Sequence, residues 1–213
     1  MHVAVIFGSV RSERSGPRVM RWVEAALRRH GHRVTRIDPA ERPLPLLDFM
    51  YKEYAAGEAP ETMEWIAARL READAFVVVS AEYNHTIPPA LKNLLDHFLH
   101  VTRWRPTAIV TYSAGHTGGV RAQSMLRSVM GELGTVTIPT MVDVATVDDA
   151  LDESGEPTVD GLGDTLEQLV VELDWFATAL ARERERGVPY GEDDISPRSN
   201  ATTDRPARRA EDG

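Results

Sequence analysis

The stretch HVAVIFGSVRSERSGPRV, residues 2–19, decides the fold. Its first six residues form a short, nearly continuous apolar run rich in β-branched side chains, as expected of a strand buried on both faces of a parallel sheet. Gly8 stops the run. From Arg18 to Arg29 the apolar residues Val19, Trp22, Val23, Ala26 and Leu27 recur at three- and four-residue intervals. That spacing predicts an amphipathic helix, with Pro17 suited to its first turn and Gly31 to its exit.

The alternation continues along the chain. HRVTRID (32–38) reads as a second strand, and Pro39, Pro43 and Pro45 make the stretch through about Ala59 a long covering loop. A helix over 60–73 leads to the strand AFVVVSA (75–81), and a helix from Pro88 to about His100 leads to the strand TAIVTYS (107–113). A helix over about 119–132, the strand TVTIPTMVDV (135–144) and a final helix over about 160–186 complete the order. Five apolar strands separated by helices predict an α/β sandwich around a doubly wound parallel sheet, because each crossover helix covers one face.

The 213 residues fit one domain, 1–186, with an appendage. Residues 187–213, rich in proline and mixed charge, are expected to be a mobile tail, since they offer little apolar surface to offset ordering entropy. A net charge of −9 argues against nucleic-acid and anionic-membrane partners. The absence of cysteine excludes disulfide scaffolds, thiolate metal sites and cysteine nucleophiles, and no metal site is expected. No run approaches the length of a membrane span, so a cytoplasmic protein is expected.

Ligands of open parallel sheets sit beyond the C-terminal ends of the strands. After the first strand, Gly8–Gly16 supplies small residues, hydroxyls, a guanidinium and the N–H groups of a helix N-terminus, all suited to a phosphate dianion. Only two glycines are present there, so a dinucleotide fingerprint is weak, and Asp38 as a ribose-binding acid is weak with it. After the third strand, Ala81-Glu82-Tyr83-Asn84-His85-Thr86-Ile87-Pro88-Pro89 offers a flat ring both a stacking surface and edge contacts. After the fourth, Ser113-Ala114-Gly115-His116-Thr117-Gly118-Gly119 lets backbone approach a ligand closely. Together they favour a mononucleotide with a large flat heterocycle.

The motifs GSVRSERSGPRV, AEYNHTIPPALKNLLDH and YSAGHTGGVRA resemble those of the NAD(P)H-dependent FMN reductase family, which includes quinone, azo-dye and chromate reductases. The likeness runs over about residues 2–185, and PLPLLDF (43–49) resembles the family's loop after strand two. Ala81 and Pro89 depart from the family's usual proline and small residue. The resemblance implies a flavodoxin-like three-layer sandwich with a five-stranded parallel sheet in the order 2-1-3-4-5. It implies that Ser9, Arg11, Ser15, Gly16, Pro17 and Arg18 surround the FMN phosphate. Glu82, Tyr83, Asn84 and His85 would line the isoalloxazine and ribityl region, with Ser113, Ala114, Gly115 and His116 closing the other side.

FMN would carry the hydride chemistry, so no protein residue is expected to be catalytic, and His85 and His116 read as solvated. NADPH or NADH would be the donor, and a flavin, quinone, azo compound or metal oxyanion the acceptor. The family resemblance also implies a homodimer or homotetramer paired through the helix from Pro88 and the last helix near the flavin, with Lys92, Asn93 and Asp96 at or beside that interface. The alternative is a flavodoxin-type FMN electron carrier that does not oxidise a nicotinamide; a non-enzymatic nucleotide-binding regulator is a third class.

Overall fold

The computed structural model describes residues 1–190. In chain order the elements are β1 (His2–Phe7), α1 (Gly16–Arg29), β2 (Arg33–Ile37), α2 (Glu61–Glu72), β3 (Ala75–Ala81), α3 (Pro89–His97), β4 (Pro106–Tyr112), α4 (Val120–Glu132), β5 (Val136–Val144), the short α5 (Val147–Ala150) and α6 (Leu162–Arg186). Among the described residues they form a five-stranded, all-parallel sheet in the order β2-β1-β3-β4-β5. β1, β3 and β4 are buried at every position, which is why they read as unbroken apolar runs. β2 and β5 are the edges and are partly exposed.

Side chains alternate between two cores. Val3, Val5 and Phe7 of β1 pack with α1 and α6, whereas Ala4 and Ile6 pack with α2, α3 and α4. Because every pairing is parallel, all the strands' C-terminal ends lie at one rim, where the loops after β1, β3 and β4 lie side by side.

α3 is shorter than its apolar spacing predicts, ending at His97. The chain then turns through His100 and Trp104, both at positive φ, and Arg105 explains how the turn is held. Its guanidinium donates to Ala73 O (2.7 Å) and Arg71 O (2.9 Å) at the C-terminal end of α2, and to Arg103 O (3.1 Å) and Val101 O (3.3 Å) within the turn, tying the turn to α2. Of the expected tail, residues 191–213 lie outside the described residues. Tyr190 rests on its own chain: its carbonyl accepts the Trp104 Nε1–H (3.1 Å) and its ring meets the indole edge-on.

Two buried histidines tie the N-terminal ends of the strands to neighbouring elements. His2 contacts Glu72 O through Nδ1 (3.0 Å) and the Thr35 hydroxyl through Nε2 (2.8 Å). His32 lies with Nε2 2.9 Å from the Asp174 carboxylate of α6, beside His30. Burial is the largest influence on both and lowers their pKa values, with Asp174 opposing the shift at His32. A histidine whose folded pKa is depressed contributes stability that is present above the unfolded value of about 6.5 and lost as pH falls through the folded value. The urea midpoint is therefore expected to hold steady above about pH 7 and to fall as the pH drops below about 6.5. His32→Gln should reduce that slope; an unchanged slope would clear His32 of the effect.

Candidate functional site

The loop from Gly8 to Ser15 is held from within. The Gly8 N–H donates to Val79 O (3.0 Å), carrying the β1–β3 pairing past the strand end. Ser9 turns inward, and its hydroxyl lies 2.7 Å from the Tyr83 hydroxyl. Arg14 folds back across the loop, donating to both oxygens of the buried Asp38 carboxylate at 2.9 and 2.6 Å and to Ser9 O. Its guanidinium also lies 4.8 Å from the Phe7 ring centre. At Gly16 a Cβ would sit 2.2 Å from both the Phe7 ring and the Tyr112 hydroxyl, so the first turn of α1 reaches the sheet only without a side chain.

What this frame leaves uncommitted is a set of groups whose chemistry suits an anion. Arg11 is exposed and has no ion pair among the described residues. The backbone N–H groups of Val10, Arg11, Ser12 and Glu13 find no backbone acceptor there, and the Ser15 side chain makes no cap to α1. Ser9, Arg11 and Ser15 thus lie on this loop and Gly16 and Pro17 on the first turn of α1 that follows it. Arg18 does not join them. It donates to Leu151 O (2.9 Å) and Asp148 O (3.3 Å) and pairs with the Asp148 carboxylate at 3.2 Å, fastening α1 to α5.

After β3 the chain makes a two-residue turn. Tyr83 N–H donates to Thr86 O (2.8 Å) and Thr86 N–H to Tyr83 O (3.0 Å), with Asn84 (φ 48°) and His85 (φ 67°) exposed at the tip. Positive φ at both central positions is the type I′ geometry, which asparagine tolerates well. Glu82 anchors the base of the turn, its carboxylate accepting from Arg121 Nη1 (2.9 Å) and Arg121 N (3.2 Å) at the start of α4.

The loop after β4 lies beside it. Ser113 N–H donates to Val144 O (3.1 Å), Val147 N–H to Ser113 O (3.0 Å) and Thr146 N–H to Gly115 O (2.9 Å), stitching residues 113–115 to the end of β5. Ala114, Gly115 and His116 stay exposed. Gly119 (φ 87°) lies so close to Thr111 that a Cβ would come within 2.8 Å of it, which draws the start of α4 down on β4.

A family model for NADPH-dependent FMN reductase matches residues 1–148. The chain belongs to this family. It is 37% identical over 145 residues to an NAD(P)H-dependent FMN reductase of Schizosaccharomyces pombe, covering 65% of this chain and 70% of that protein. Over 75 residues it is also 37% identical to a quinone reductase of Escherichia coli, covering 33% and 40% of the two chains. Among solved structures, the flavoenzyme NAD(P)H:(acceptor) oxidoreductase FerB of Paracoccus denitrificans shares the fold, with a TM-score of 0.66 at 22% identity over 85% of this chain and 97% of that one.

The rim of this FMN reductase family member suits an FMN molecule on its own chemistry. Free amides, Arg11 and uncommitted hydroxyls match a phosphate dianion, and two exposed loops stand beside them for a planar ring. Beneath the loop, the buried Tyr112 hydroxyl has no hydrogen-bond partner among the described residues. Burial pushes its phenol well above the usual tyrosine value, with the nearby Ser9 hydroxyl opposing, so it remains a neutral donor.

Sequence reasoning missed three parts of this site: the Arg14–Asp38 strut, the Glu82–Arg121 tie and the Tyr112 hydroxyl. Arg14 and Asp38 were each visible as a polar residue beside a strand end, and only the structure pairs them. Breaking that pair from the arginine side leaves the buried Asp38 carboxylate without a counter-charge, with only the Ala40 N–H (2.9 Å) to donate to it, so Arg14→Ala is expected to destabilise the protein by about 3 kcal/mol in urea unfolding. Arg11→Ala should stay within about 0.5 kcal/mol of the parent. Equal losses at the two positions would refute this division of labour.

Proposed function

We propose that the protein is an NAD(P)H-dependent, FMN-containing oxidoreductase that reduces a small acceptor such as a quinone or free flavin. The observation that carries this reading is the uncommitted anion cradle at Arg11, set beside two exposed ring-sized loops on one sheet rim. Bound FMN would supply the hydride chemistry, with the nicotinamide as donor.

The chain's own part is to bind, orient and leave access. Arg11, Ser12, Ser15 and the amides of residues 10–13 would hold the phosphate, while Arg14 and Asp38 keep the loop in shape. The Glu82–Arg121 tie and the 113–115 stitches fix the two loops that would flank the ring. With Asn84, His85, Ala114, Gly115 and His116 exposed, one side stays open for donor and acceptor to bind in turn. Preorganised loop N–H groups are suited to stabilise negative charge that develops on the ring.

We further propose a homo-oligomer working in the cytoplasm. No helix among the described residues is long and apolar enough to cross a membrane. The α3 residues expected beside an interface are engaged at home: Lys92 pairs with Asp96 at 2.5–2.6 Å, and Asn93 accepts from Leu47 N (2.9 Å) and donates to Pro45 O (2.7 Å).

Adding NADPH or NADH anaerobically to the flavin-loaded protein is expected to bleach its yellow absorbance, and a quinone should restore it. Persistent colour with both nicotinamides would leave an FMN electron carrier instead. Arg11→Ala should weaken FMN binding, followed by quenching of flavin fluorescence, by about ten- to hundredfold, the worth of a charge-assisted hydrogen bond at about 1.5–3 kcal/mol. An unchanged Kd would remove Arg11 from the cradle.

A further inference from the structure

Three hydroxyls gather beneath the first turn of α1, brought by the loop after β1 (Ser9), the turn after β3 (Tyr83) and the last residue of β4 (Tyr112). Ser9 is 1% exposed, Tyr112 5%, and Tyr83 half-buried. The Ser9 and Tyr83 hydroxyls lie 2.7 Å apart, and either can donate to the other. Tyr112 has the Ser9 hydroxyl beside it, yet its own hydroxyl has no hydrogen-bond partner among the described residues. Its oxygen lies 2.2 Å from the place a Cβ on Gly16 would take, directly against the end of α1 that follows the uncommitted amides of residues 10–13.

A phenylalanine at 112 would avoid the cost of this oxygen. The Tyr112 ring stacks on Phe7 with centroids 6.4 Å apart and 16° between planes, so the ring alone accounts for the packing. The hydroxyl adds only a buried donor stripped of its water. Acceptors nearby are already engaged, since Arg14 donates both to the Asp38 carboxylate and to Ser9 O.

The proton count shows what the cluster is short of. Three hydroxyls carry three protons, and a chain running from Tyr112 through Ser9 to Tyr83 leaves the last proton without an acceptor. An anion beside Ser9 removes the shortage. Serine has one proton and two lone pairs. With its proton given to a phosphate oxygen, both lone pairs are left to accept, one from Tyr83 and one from Tyr112. Every proton then has an acceptor, and two phenols donating to one oxygen make its own O–H a stronger and better-directed donor. Ser9 directly precedes the free amides in the chain, so its hydroxyl belongs to the same cradle.

We propose that Tyr112 is a positioning residue for anion capture: together with Tyr83 it donates to Ser9 Oγ and so commits the Ser9 proton to the phosphate in the cradle. This role rests on the flavin reading above and adds to it a buried residue that does not touch the ligand. Titrating the flavin-free full chain with FMN and with riboflavin, followed by flavin fluorescence, tests it alongside the thermal midpoint of the flavin-free protein. Tyr112→Phe should weaken FMN about fivefold or more and leave the weaker binding of riboflavin, which has no phosphate, unchanged. The midpoint should hold or rise, because a buried unpartnered donor has been removed, whereas a packing defect would lower it. Ser9→Ala should weaken FMN too, and adding Tyr112→Phe to it should cost nothing further. A lower midpoint in Tyr112→Phe, an equal loss for riboflavin, an unchanged FMN affinity, or a loss that adds to that of Ser9→Ala would each overturn this role and leave the flavin reading standing. A parent protein that binds no FMN would overturn both.

Discussion

The close approach of α1 to the sheet at Gly16 sets the geometry on which the rim depends. Phe7 and Tyr112 come from two strands separated by β3, and both touch the space where a Cβ would stand. Because a hydrogen is all that fits, the helix N-terminus can sit down on the strand ends and turn its free N–H groups outward. The same contact buries the Tyr112 hydroxyl beneath the loop. A looser approach would swing the amides away and let water in below them.

Around that contact the rim is assembled from ties between elements remote in sequence. Ser9 meets Tyr83, Arg14 meets Asp38, and Glu82 meets Arg121, so each of the three loops is fixed by a neighbour as well as by its own turn. The inward polar groups are mostly paired and the outward ones are free. That division separates residues that shape the site from those left to meet a ligand, and Arg11 beside Arg14 is its clearest instance. The protein as a whole is acidic, at −9, yet the cradle keeps an unpaired guanidinium, so local arrangement rather than net charge governs what can bind there.

The fold was legible in the sequence to the extent that burial writes itself into composition. β1, β3 and β4 are covered on both faces and so carry continuous apolar runs, while the mixed pattern HRVTRID belongs to an edge strand. The three rim loops were legible too, since small, hydroxyl and aromatic residues cluster after strand ends. Long-range pairing was not. Arg11, Arg14 and Arg18 look alike in the sequence, and they differ because Asp38 arrives from β2 and Asp148 from α5. The early end of α3 was hidden for the same reason, since Arg105 reaches back to carbonyls up to 34 residues away.

The turn at Asn84 and His85 constrains what chemistry natural variation or a mutagenesis library can bring to this rim. Both positions hold a left-handed backbone, a conformation that β-branched residues scarcely enter. Diversity there is confined to a short alphabet of glycine, asparagine, aspartate and histidine. Ala114 and His116 carry no such backbone restriction, so their side chains can vary freely at the exposed rim.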